Sequence, residues 1–158
     1  MGNDAEPALT DKEIRDLRDI ASTMIPQSSA DGMPGADDPA IQADLVRTLG
    51  RDRPQVREAI AAIIQESGGA FPDLDRDRQE ALINDYYACR SAAAVTLGRV
   101  ILAAYYRDDR VLLALGLEAR SPFPKGYTLE QGDWSLLDAV RNRAPFWRDD
   151  RAASDGDR

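Results

Sequence analysis

Apolar positions along the first two thirds of the chain recur at helical spacing. Ile14, Leu17, Ala21 and Met24 form one stripe after Thr10 and Glu13, a Ser/Thr-x-x-Glu pair that predicts a capped helix start. The turn formers of PQSSADGMPGADD, residues 26–38, then predict a loop. Asp38-Pro39 reads as an N-cap followed by proline at the first helical position, with Ile41, Leu45 and Leu49 inward. Pro54 opens a third helix whose Val56, Ala59, Ile60, Ile63 and Ile64 share a face, and Gly68-Gly69 closes it. After Phe71-Pro72 a fourth carries Leu82, Ile83, Tyr86 and Tyr87.

Residues 91–106, SAAAVTLGRVILAAYY, are apolar almost all round. At sixteen residues with Arg99 in the middle, the run is too short and too charged for a membrane span of about 20. It predicts the central helix of a bundle, buried on most sides, with Arg99 paired to an aspartate such as Asp85 or Asp133. A short helix from Asp109 to Leu115 follows, capped by Gly116. No alternating strand pattern and no repeat appears, so the fold class is all-α: a small helical bundle around a buried central helix, with an extended, irregular C-terminal arm. The expected division is a flexible N-terminus (1–9), a helical domain (10–117), a docking arm rich in proline and aromatic residues (118–148) and a disordered tail (149–158).

That arm changes the picture. Pro122, Pro124 and Pro145 break it, yet it holds Phe123, Tyr127, Trp134, Phe146 and Trp147, five of the ten aromatic residues and both tryptophans. Asp133 can cap one helical turn, WSLLDAV, before Pro145. Such a segment cannot build a core of its own, and burying one large apolar side chain is worth about 1.5–3 kcal/mol. Part of it is expected to wrap the helices. The rest, with Arg141, Arg143 and Arg148 interleaved, has the composition of an interface hot spot. The expected partner contacts are Phe123, Tyr127, Trp134, Arg141, Arg143, Phe146 and Trp147.

Composition narrows the chemistry. With 28 acidic against 20 basic side chains, the net charge of −8 argues against nucleic acid and anionic membranes as partners. Histidine is absent, removing the commonest physiological base and metal ligand, and the single Cys89 permits no intrachain disulfide and no thiolate cluster. Cys89 reads as a small buried hydrophobe.

Asp73, Asp75 and Asp77 imitate the start of a calcium loop, but Arg78 replaces its glycine and Asn84 its bidentate glutamate, so they read as a helix start. Asp31, Asp37 and Asp38 read as turn formers, and Gly98-Arg99-Val100 belongs to no phosphate loop. The pairs Tyr86-Tyr87 and Tyr105-Tyr106 read as core rings with hydroxyls at the rim, against an alternative in which they stack on a flavin or sugar. No catalytic, cofactor-binding or metal-binding residue is expected in this chain. The start MGNDAE is neither a secretory leader nor a myristoylation site, because Glu6 stands where Ser or Thr is required.

Two segments carry a family resemblance. Met24-Ile25-Pro26 leads through Pro34-Gly35-Ala36, and Ala104-Tyr105-Tyr106, Val111 and Leu115-Gly116-Leu117 precede Lys125-Gly126-Tyr127. Over roughly residues 14–148 the chain resembles the small-subunit family typified by bacterial gluconate 2-dehydrogenase subunit 3. Ala104 stands where that family commonly has glycine, and Leu117 where it has tyrosine.

The resemblance implies a chaperone-like accessory subunit, not an enzyme by itself, in a hetero-oligomer with a large oxidoreductase subunit of the glucose–methanol–choline type. That partner would bind FAD, oxidise a sugar, sugar acid or alcohol, and depend on the small subunit for folding and flavin loading. Members often carry a twin-arginine leader, so the expected location is cytoplasmic as written, or periplasmic if a leader has been removed or is carried by the partner. The rival readings are a free-standing helical adaptor with an unrelated partner and a small enzyme using Tyr105 or aspartates on a carbohydrate.

Overall fold

The computed structural model describes residues 7–120, 126 and 128–144. The chain divides into two units, Met1–Arg120 and Ser121–Arg158. Among the described residues the fold is all-α, with one isolated bridge between Ser28 and Met33.

The helices of the first unit begin where local chemistry dictates. Helix α1, Asp11–Met24, starts with a reciprocal cap. The Thr10 amide donates to the Glu13 carboxylate at 2.7 Å, and the Glu13 amide donates to Thr10 Oγ1 at 3.2 Å. Glu13 also accepts from Arg57 Nε at 2.6 Å, tying α1 to α3. Helix α2, Pro39–Thr48, is capped by Asp38, and α3 runs Arg53–Glu66. Helix α4, Arg76–Ala88, is capped by Asp75, with Asp77 in its first turn. The acidic run is thus a helix start. Ser91 caps α5, Ala92–Tyr105, and Asp108 caps α6, Asp109–Ala114.

The core lies where α5 meets α3 and α2, with α1 closing on α3 and α4. Leu17, Ile20, Ile41, Leu45, Ile60, Ile63, Phe71, Leu97 and Ile101 are fully enclosed there. Leu49, Val56 and Ala59 face inward as their spacing predicts, and Ile64 packs at the edge. Gly98 lets α4 approach α5, because a Cβ on it would lie 3.2 Å from the Tyr87 hydroxyl.

Helix α5 is the expected central helix, with nine of its fourteen residues buried and Ala92, Val95, Arg99, Leu102 and Ala103 left as one open stripe. Two expectations are corrected. Arg99 is 56% exposed and pairs with Asp52, at 2.8 Å, rather than with Asp85 or Asp133. A surface position with its stem along the helix avoids the desolvation cost that a buried guanidinium would meet. Cys89 is exposed because α4 ends at Ala88 and the chain turns away through Arg90 at φ 49°.

Candidate functional site

The loop of residues 26–38 and the end of α5 interlock. The Tyr105 hydroxyl donates to the Pro34 carbonyl at 3.0 Å, and Gln42 Nε2 donates to the Ala36 carbonyl at 2.8 Å. Arg110 forks onto Asp38 at 2.7 and 3.0 Å and also binds Asp108 at 2.9 Å. Asp38 meanwhile accepts from the Ala40 amide at 2.9 Å, so one carboxylate caps α2 and anchors α6. The Arg110 hydrogen bonds hold the carboxyls of Asp38 and Asp108 below the usual carboxylate range. The 26–38 loop and the α5–α6 corner are therefore physically joined, through Pro34 to Tyr105 and Asp38 to Arg110.

This junction is chemically quiet. Burial pushes the Tyr105 hydroxyl up, with Tyr106 and Asp108 adding to the shift, so it stays protonated and engaged with Pro34 at neutral pH. Burial likewise raises Tyr87, whose hydroxyl lies 3.5 Å from Met24 Sδ at a cleft of about 400 Å³ that Thr23, Arg76 and Asn84 also line. Tyr86 and Tyr87 meet edge-to-face at 6.0 Å, as do Tyr105 and Tyr106 at 5.4 Å. Of the four, only Tyr105 is buried; Tyr86 and Tyr87 are half-buried and Tyr106 is exposed. Tyr86 lines a groove with Leu82, Asp85 and Cys89, so it opens onto different surroundings from the Tyr105 hydroxyl. Among the described residues no group of three or more His, Cys, Asp or Glu is placed to hold a metal ion, and no helix is long and apolar enough to cross a membrane.

The arm is built differently. Asp133 accepts from the Ser135 amide at 3.0 Å and from its hydroxyl at 2.6 Å, starting a 3-10 turn over Trp134–Leu137 that runs into α7, Asp138–Arg141. This is the expected capped turn. It buries nothing: Trp134 is 61% exposed, and Leu129, Leu136, Leu137 and Val140 are open as well. The Trp134 indole N–H donates to Gln131 Oε1 at 3.4 Å. Arg141 meets Asp138 at 3.5 Å, and Arg143 is exposed. Phe123, Tyr127, Phe146 and Trp147, like Arg148, lie outside the described residues.

Sequence reasoning overlooked a second apolar surface. Among the described residues of the helical unit, the exposed large hydrophobic side chains are Val95, Leu102, Tyr106, Leu113, Leu115 and Leu117, all from one run of the chain. Periodicity alone could not have found the α5 members, since a helix that is apolar all round gives no sign of which face is covered.

No family model, no curated protein and no solved structure matches the chain.

Proposed function

We propose that this protein is the non-catalytic small subunit of an FAD-dependent dehydrogenase of the glucose–methanol–choline type, acting on a sugar, sugar acid or alcohol. One observation carries the reading: the arm leaves Trp134, Leu136, Leu137 and Val140 in water beside Arg141 and Arg143. A helical segment this short has no stability of its own, so it gains order only by covering another apolar surface. Aromatic, aliphatic and arginine side chains together are the makeup of an interface centre. The absence of histidine and the engaged, protonated Tyr105 hydroxyl leave this chain poorly equipped for acid–base work, and the chemistry is assigned to the partner's flavin.

Physically, the subunit binds the folded, flavin-loaded large subunit and not its unfolded form. At one hundred times the dissociation constant such binding stabilises the native state by about 2.7 kcal/mol. Trp134 supplies the anchor and Arg141 and Arg143 the polar links; Phe123, Tyr127, Phe146 and Trp147 belong to the same proposed contact.

The test is to purify the flavoprotein that accompanies this chain in its native host, then express that protein with and without the chain. Flavin content and activity should collapse when the chain is omitted. Full flavin loading and turnover without it would refute the reading.

A further inference from the structure

We draw no further inference here: the strongest candidate, the open apolar stripe that runs along α5 from Val95 through Leu102 to Tyr106, carries nothing because nothing in the structure shows what covers it.

Discussion

Gly35 has room for a hydrogen and little else: a Cβ built there would lie 2.3 Å from Asp37 Oδ1 and 3.0 Å from the Gln27 amide nitrogen. The carboxylate could swing aside, but the backbone of Gln27 cannot, because Ala36 and Ile25 are bonded beside it at 2.9 Å. Gly35→Ala should therefore destabilise the protein by about 1–3 kcal/mol, the usual cost of overpacking. Urea unfolding should show a lower midpoint with an unchanged slope. Arg99 illustrates the opposite regime. Its pair with Asp52 stands in solvent, so a double-mutant cycle with Arg99→Ala and Asp52→Ala should return a coupling of only about 0.2–1 kcal/mol. The sequence marks Arg99 as a charge needing a partner but cannot say which of the acidic residues folds beside it. Asp52 is nearly fifty positions away and belongs to a turn with no signature of its own.

At the scale of elements, the clamp between the 26–38 loop and the α5–α6 corner contributes to how the first unit responds to acid, beside Glu13 with Arg57 and Asp44 with Arg107. Tyr105→Phe removes the bond to Pro34 and should cost about 0.5–1.5 kcal/mol, because the carbonyl loses a donor that water cannot easily replace. Arg110 acts through charge. Its hydrogen bonds lower the Asp38 and Asp108 carboxyls from their ordinary 3.8, so their contribution to stability is fully present above that value. It then fades as pH falls through the lowered folded values.

The stability difference between wild type and Arg110→Ala should be constant from neutrality to about pH 5, then shrink towards zero in stronger acid. Thermal melts along a pH series check this, and a difference that persists in acid would mean the arginine stabilises by packing alone. Helix starts were legible because capping is local: Thr10 with Glu13, Asp38 with Pro39 and Asp75 with its first turn are each read within four residues. The clamp was not legible, since Tyr105 and Arg110 meet residues about seventy positions earlier, where nothing in the spacing pairs them.

For the whole molecule, the decisive quantity is apolar surface that no part of the helical core claims. The all-α class and the capped turn at Asp133 follow from patterning, yet patterning identifies apolar positions and not what covers them, so the open stripe on α5 was unreadable. Trp134 makes the arm measurable. The chain has two tryptophans, so subtracting the emission of Trp134→Phe from that of wild type isolates this indole. Being 61% exposed, it should emit to the red, and acrylamide should quench it efficiently. A neutral quencher is needed because the net charge of −8 would repel iodide and counterfeit protection. The Trp134 component should shift to the blue when the accompanying flavoprotein is added. A blue, protected component in the dilute isolated chain would mean that the indole is sheltered within its own molecule, and the arm would then have nothing left to offer a partner.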